Sequence, residues 1–303
     1  MLKGLKRALN ATPEELASPI FQERIHGFLT RPGKRRKIVV EVGGKKLSLK
    51  RKTLRNGCFF AVIDLPELDC PDLGETVIPM KLLRMPVEGS RRTSQASQLH
   101  GSLFMVPPRG VSVISDIDDT IKLTQATSKR SMLVNTFLRP FEAIDGMASM
   151  YQDWSELGCD FHYVSSSPWQ LYEPLAELCQ SCDFPAGSMH LRYFRVRDEM
   201  FKRFRPLRRN KKVAIIANIL KRLPQRRFVL IGDSGEKDPE VYRFLARRYP
   251  DRVAAILIHN LSARPLGEKR AQKLQRVTPN TEVRIYDHPA EIADVVERLC
   301  SAT

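Results

Sequence analysis

The chain has 303 residues, 42% of them hydrophobic, and carries 50 Lys and Arg against 34 Asp and Glu for a net charge of +16. That length suggests about two domains with ample material for packed cores, and no stretch approaches the roughly 18 consecutive apolar residues of a membrane-spanning helix. So basic a balance points to anionic partners, whether nucleic acid, an anionic membrane surface or a phosphorylated substrate, and leaves the fold open.

The N-terminus, MLKGLKRALNATPEEL, lacks the continuous apolar core of a secretory signal. Leu2, Leu5 and Leu9 share one helical face, with Lys3, Lys6 and Arg7 opposite. The pattern suits a terminal helix or frayed tail over residues 1–20, and also a helix lying on a membrane. Residues 21–109 read as short strands, and so as a small β-sandwich-like domain. IVVEVGGKKLSL turns at Gly43-Gly44 as a hairpin, and TLRNGCFFAVIDL repeats the idea at Asn56-Gly57. ETVIPMKLLRM and HGSLFMV read as two more strands, and Pro107-Pro108-Arg109-Gly110 as a linker. Residues 1–110 carry 20 Lys and Arg against 10 Asp and Glu, the remainder 30 against 24. Runs such as Arg31-Pro32-Gly33-Lys34-Arg35-Arg36-Lys37 and Lys50-Arg51-Lys52 either dock on acidic surfaces or form a solvated basic face.

The stretch that organises the rest is VSVISDIDDT, Val111–Thr120. Its apolar, β-branched half reads as a buried strand of a parallel sheet. Asp116, Asp118 and Asp119 then fall in the loop beyond the strand's carboxyl end, where open α/β sheets bind ligands. Crowded carboxylates raise one another's pKa, and a divalent cation is the simplest remedy. A lone DxDxT is equally a solvated acidic turn.

Beyond Thr120 helix and strand alternate. Gly146 to Leu157 reads as a helix and DFHYV as a strand ending at Val164, followed by Ser165-Ser166-Ser167-Pro168-Trp169. Pro168 suits a first helical position with Ser167 as its N-cap, and such a helix start presents N–H groups to an anion. Cys179 and Cys182 form a CxxC without the second pair of a zinc site, within a helical pattern, so they read as packing thiols of a reduced, cytoplasmic protein. KKVAIIANILKRL is a further helix, although Lys211 and Lys212 in its first turn run against the helix dipole. FVLIGDSGEKDPE is an apolar strand followed by a glycine-containing loop with Asp233 and Asp238. AAILI and EVRI add two strands and EIADVVERL a closing helix. The alternation means an α/β fold, a parallel sheet with helices on both faces.

Four segments at strand ends or helix starts stand out: DIDDT, SSSPW, Lys212 and GDSGEKD. They supply a carboxylate nucleophile, a hydroxyl donor, a cation and a further metal carboxylate. Singly they read as an acidic turn, a helix cap, a solvated lysine and a loop acid. Together, in this order, they read as a catalytic site.

SDIDDTIK, HYVSSSPWQLY and FVLIGDSGEKDPEVY resemble the haloacid dehalogenase superfamily of aspartate-nucleophile phosphohydrolases. More closely they resemble the catalytic domain of the actin-patch phosphatidate phosphatase family, relatives of the lipins. The likeness runs from about Gly110 to Asn260 and includes Arg139-Pro140, Gly146 and Phe184-Pro185-Ala186-Gly187. It implies a haloacid dehalogenase-like phosphatase domain over residues 110–303. Asp116 would be the nucleophile, forming an aspartyl-phosphate, and Asp118 the acid and base. Mg²⁺ would be held by the Asp116 carboxylate, the Asp118 backbone carbonyl and Asp233. Ser165, the serine directly after the strand, and Lys212, preferred over Lys211 by its spacing to GDSGEKD, would hold the phosphoryl oxygens. Thr120 would hydrogen-bond within the nucleophile loop and join the phosphate-binding set, and Asp238 would orient Lys212 or a metal-bound water. Asp119 stands where many superfamily members have glycine, which the resemblance reads as subtype.

The superfamily leaves the substrate open. Leu191–Lys212 carries ten Lys and Arg interleaved with Tyr193, Phe194, Phe201 and Phe204. That mix suits a membrane interface, where anionic lipid attracts the cations and the rings enter the headgroup zone. It would also serve single-stranded nucleic acid, or form an ordinary surface loop. Short connections around the motifs imply no large lid. The reading is a Mg²⁺-dependent phosphatidate phosphatase, cytoplasmic and peripherally bound to membranes. The alternatives are a phosphomonoesterase acting on a nucleic-acid end or a phosphoprotein, and a non-catalytic phosphatidate-binding module.

Overall fold

The apolar run before the acidic loop is strand β5, Arg109–Ser115. Val111 to Ser115 are all buried, as a strand covered by helices on both faces must be. The computed structural model describes Leu5 and residues 8–29, 33–54, 57–63, 77–84, 99–124, 129–192 and 210–301. Residues 1–29 with 107–303 make one compact unit and residues 30–106 a second.

In the larger unit, β5 is followed by α3 (Lys129–Phe137), α4 (Met147–Glu156), β6 (Asp160–Pro168), α5 (Tyr172–Ser181) and β7 (Gly187–Arg192). Then come α6 (Asn210–Arg222), β8 (Gln225–Asp233), α7 (Asp238–Arg248), β9 (Val253–His259), α8 (Glu268–Gln275), β10 (Glu282–Tyr286) and α9 (Asp294–Ser301). The six strands form one sheet in the order β10-β9-β8-β5-β6-β7, and every pairing is parallel. Alternate strand residues face opposite sides. Val111, Val113, Val229, Ile231 and Leu257 pack with Met150, Tyr151 and Trp154 of α4, Leu175 of α5 and Val295 and Val296 of α9. Ile114, Val164, Leu230 and Ile256 pack with Ile216 and Leu220 of α6, Tyr242 and Leu245 of α7 and Leu274 of α8.

The connectivity fixes where a site belongs. From β5 the chain moves outward through β6 to β7, and from β8 it moves the other way through β9 to β10. β5 and β8 are neighbours, so a crevice opens between the loops that leave their carboxyl ends. Asp116 directly follows β5, and Asp233 ends β8.

At the N-terminal edge of the sheet Arg226 is buried, and its guanidinium donates to Ser112 Oγ at 2.7 Å, the Pro107 carbonyl at 2.7 Å and the Arg109 carbonyl at 2.6 Å, and also to the Val111 carbonyl. This end of β5 is thereby anchored to β8.

Leu5 and residues 8–9 are helical, and among the described residues two further helices precede the β module. α1, Pro13–Ala17, starts in a capping box between Thr12 and Glu15, and α2 spans Pro19–Leu29. Phe21, Ile25 and Phe28 recur at a helical spacing, so the strands expected from residue 21 begin only after this helix. Phe21 and Ile25 bury against Phe137 of α3, together with Leu9. The Leu9 side chain is thus spent on the protein's own core.

In the smaller unit β1 (Ile38–Val42) and β2 (Lys45–Ser48) form the expected hairpin across Gly43 and Gly44, both at positive φ. β3 (Val77–Arg84) pairs with β1 and β4 (Leu99–Phe104) with β3, giving one antiparallel sheet in the order β2-β1-β3-β4. No second sheet layer occurs among the described residues. The second hairpin does not form as expected. Gly57 N donates to the Leu54 carbonyl in a turn, but residues 57–63 carry no strand. Leu54 N also donates to the Cys58 carbonyl at 2.7 Å, and beyond it Phe59 and Ile63 pack on the core while Phe60, Ala61 and Val62 are exposed, so the expected alternation is only partly realised.

Candidate active site

Asp116 is placed by an extension of the sheet ladder. Its N–H donates to the Ile231 carbonyl at 2.8 Å, and its own carbonyl accepts from Ser115 Oγ at 2.6 Å. The carboxylate is buried and turned to α6, where Lys212 Nζ lies 2.6 Å from Asp116 Oδ1 and 2.5 Å from Asp238 Oδ1. Two carboxylates explain a lysine in the first turn of a helix, where the dipole alone disfavours it. Lys211 beside it is exposed. Burial alone pulls Lys212 down, but the Asp116 and Asp238 carboxylates overcome it and hold the amine well above the ordinary lysine range.

Asp233 is fixed through Oδ1, which accepts from Gly235 N at 2.6 Å and Glu236 N at 2.9 Å. Its Oδ2, like Asp116 Oδ2, is buried with no hydrogen-bond partner among the described residues. Asp238 is the first residue of α7 rather than a loop residue. A Cβ at residue 232 would collide with its carboxylate, so Gly232 admits it. Oxygens of Asp116, Asp233 and Asp238 all come within 4.8 Å of one another.

Among the described residues, three buried carboxylates therefore face one ammonium. Burial pushes Asp116 well above the carboxylate range, with Lys212 pulling against it. Burial and the charges of Asp238 and Glu236 push Asp233 up to about 7. Uncompensated charge and two orphaned oxygens in an oxygen-only set fit a hard divalent cation. The cluster could hold a metal ion, and it contains Asp116 and Asp233 together with Asp238. The Asp118 side chain is outside it.

Asp118 points elsewhere. Its Oδ2 accepts from Ser165 Oγ at 3.0 Å and Ser167 Oγ at 2.8 Å, both from the end of β6. Its Oδ1 accepts from Thr124 Oγ1 at 3.2 Å and lies 2.8 Å from Lys122 Nζ. Burial pushes this carboxyl up, but the Lys122 charge and the hydrogen bonds from Lys122, Ser167 and Ser165 prevail and lower it to about 2. Ser167 is accordingly not a helix cap. β6 runs through Pro168, which is extended, and the 3-10 turn Trp169–Leu171 begins without a side-chain cap. Ser166 is exposed.

Thr120 is buried, and its hydroxyl has no partner among the described residues, so the bond expected within the nucleophile loop is not made by its side chain. Asp119 adopts φ +57°, a left-handed conformation that aspartate tolerates and glycine adopts freely. Its Oδ1 accepts from Thr124 N at 2.7 Å. That gives a physical reason for either residue at this position. Tyr193, Phe194, Phe201 and Phe204 of the basic-aromatic segment lie outside the described residues.

Lys122 is the residue that sequence reasoning missed. It is buried, and its Nζ also donates to Thr124 Oγ1 at 2.7 Å. The signal was present: a lysine four residues after Asp118, in an otherwise apolar and hydroxyl-bearing run.

Residues 111–260 match the family described as phosphatidate phosphatase APP1, catalytic domain. This segment belongs to that family. The chain is 33% identical over 249 residues to phosphatidate phosphatase APP1 of Saccharomyces cerevisiae, covering 79% of this chain and 40% of that protein. It is 32% identical over 167 residues to an uncharacterized protein of Schizosaccharomyces pombe, covering 54% of this chain and 27% of that one. The chain thus spans less than half the length of these curated relatives. A solved structure of an uncharacterized protein from Listeria monocytogenes serotype 4b aligns over 64% of this chain and 99% of its own, at TM-score 0.43 and 12% identity, too distant to carry an argument. Among the described residues no helix is long and apolar enough to cross a membrane.

Proposed function

We propose that the protein is a Mg²⁺-dependent phosphatidate phosphatase that releases diacylglycerol and phosphate. The observation that carries this reading is the pair of orphaned, buried oxygens on Asp116 and Asp233 beside Lys212, in the crevice between β5 and β8. The APP1-type catalytic domain supplies the substrate class. Asp116 and Asp233, with the Asp118 backbone carbonyl, would hold Mg²⁺, which would neutralise charge between nucleophile and phosphate.

Asp116 attacks phosphorus, forming an aspartyl-phosphate as the alkoxide leaves; water then hydrolyses it, returning the carboxylate and phosphate. Lys212 is already charged, and holds the nucleophile while offering N–H donors to a phosphoryl oxygen. Asp238 keeps Lys212 in place. Asp118 protonates the leaving alkoxide and then takes the proton of the attacking water. Free of substrate it is ionised, with Ser165 and Ser167 donating to it. A phosphate that claims the Ser165 hydroxyl removes one of these donors and adds a negative charge, and both changes raise the Asp118 pKa. The orphaned Thr120 hydroxyl is a further donor for the bound group. A net charge of +16 suits a phosphate whose tails stay in an anionic bilayer, so the protein would work at a membrane surface from the cytoplasm.

Acid-quenching the protein during turnover of phosphatidate in mixed micelles tests the chemistry. Mass spectrometry should find a phosphate adduct on the peptide carrying Asp116. Turnover without any adduct, combined with full activity of Asp116→Asn, would rule the nucleophile out.

A further inference from the structure

The contacts that hold Asp118 do not stop at Lys122. The Lys122 ammonium lies 4.7 Å from the centroid of the Phe141 ring, and the Arg24 guanidinium of α2 lies 3.7 Å from the same centroid. Arg24 is buried, and its Nη1 donates to the carbonyls of Thr136 at 2.7 Å and Arg139 at 2.6 Å. It therefore fixes the end of α3 and the turn that leads into Phe141. Phe141 in turn heads a short extended segment that pairs with the Lys122 segment: Leu123 N donates to the Glu142 carbonyl at 2.8 Å, Ile144 N to the Ile121 carbonyl at 2.9 Å, and Lys122 bridges Ala143. Asn135 of α3 closes the same loop, donating to the Thr124 carbonyl at 2.5 Å.

We infer that Arg24 and Phe141 are positioning residues for Asp118, so that the N-terminal helix α2 is a working part of the active site. Lys122 is 1% exposed, so its ammonium has no water to turn to. Its direction is set by Asp118, Thr124 and the electron-rich face of Phe141. Arg24 shares that ring and, through its carbonyl bonds, sets where the ring stands. Removing the ring, or releasing the turn that carries it, lets Lys122 swing and draws the Asp118 carboxylate away from the leaving group. Proton transfer is steeply sensitive to such misplacement. Arg24 and Phe141 stand 117 residues apart in sequence, and Arg24 lies outside the matched segment 111–260. The catalytic segment alone would therefore lack one of its own supports.

This inference rests on the proposed role of Asp118 as the acid, and the test uses that role. p-Nitrophenolate leaves without a proton, whereas an alkoxide needs one. kcat/KM is measured for the full chain and for Phe141→Leu, Phe141→Tyr and Arg24→Lys, on p-nitrophenyl phosphate, a simple alkyl phosphate and phosphatidate in mixed micelles, with melting temperatures recorded alongside. Phe141→Leu and Arg24→Lys should lose about 10-fold or more on the alkyl esters and less than about 3-fold on the aryl ester. Phe141→Tyr, which keeps the ring face, should restore the alkyl rates. Equal losses on aryl and alkyl esters, or no loss on either, would overturn the inference. A wild type active on the two soluble esters but not on phosphatidate removes the lipid assignment and leaves this comparison intact. A wild type silent on all three overturns both readings.

Discussion

Lys122 Nζ lies 2.8 Å from Asp118 Oδ1, and Thr124 joins the two a second time by accepting from one and donating to the other. Lys122→Met keeps the apolar stem and removes the charge. About a quarter of the Asp118 side chain is exposed, so water screens part of the loss. The expected destabilisation is about 1–3 kcal/mol, less than the ~3–5 of a broken, fully buried pair. Urea denaturation at neutral pH measures it, and an unchanged midpoint would contradict the pairing described here.

Gly232→Ala should disable the site. The new methyl meets both the carboxylate and the Cβ of Asp238, which opens α7 and has little freedom to retreat. Overpacking of this kind costs about 1–3 kcal/mol. More telling is the loss of the Asp238–Lys212 pair, which should lower phosphatase activity by at least an order of magnitude. A variant with wild-type rates would show that Asp238 does not position Lys212.

Asp233→Asn should stabilise the metal-free protein while removing its response to metal. The substitution deletes one of the buried negative charges that Lys212 cannot match, for an expected gain of about 1–2 kcal/mol. Wild-type melting temperature should rise with added Mg²⁺, and that of the variant should hardly move. If metal-free Asp233→Asn is the less stable protein, the charge imbalance has been misjudged.

Acid should weaken the fold through His162. Burial, with the charges of His190 and Arg226, lowers its pKa to about 3, and its Nδ1 lies 2.7 Å from Ser188 Oγ. The unfolded chain takes up the proton near the ordinary value of 6.5, while the folded protein does not. Stability therefore falls as pH drops from about 6.5 toward 3, by about 2 kcal/mol at pH 5. His162→Asn should flatten that part of the profile. A variant with the wild-type slope between pH 7 and 5 would assign the acid sensitivity to other groups.

Much of this was legible in the residues. The parallel sheet followed from apolar runs alternating with helical periods, and the meeting of Asp116 with Asp233 from the apolar runs that lead into them, whereas Asp238 reaches the cluster from the first turn of α7. The family resemblance through SDIDDTIK and GDSGEKDPE agrees with the family to which residues 111–260 belong. What escaped was long-range or local geometry. Pro168 after Ser167 suggests a helix cap, whereas β6 continues and turns that hydroxyl to Asp118. Nothing local in TLRNGCFFAVIDL tells an alternating segment that finds a strand partner from one that packs without one. The partnership of Arg24 with Phe141 joins residues over a hundred positions apart, and no pattern in either neighbourhood announces it. Helix α2 could have been found, because Phe21, Ile25 and Phe28 carry its period.

The central claim is tested most directly by phosphate release from phosphatidate in mixed micelles, with Mg²⁺ and with EDTA, beside an Asp116→Asn control and a soluble aryl phosphate. The account predicts release from the lipid that requires Mg²⁺ and disappears in the control. Release from the aryl phosphate alone would keep the chemistry and contradict the lipid substrate. Release that survives EDTA or the loss of Asp116 would contradict the mechanism itself.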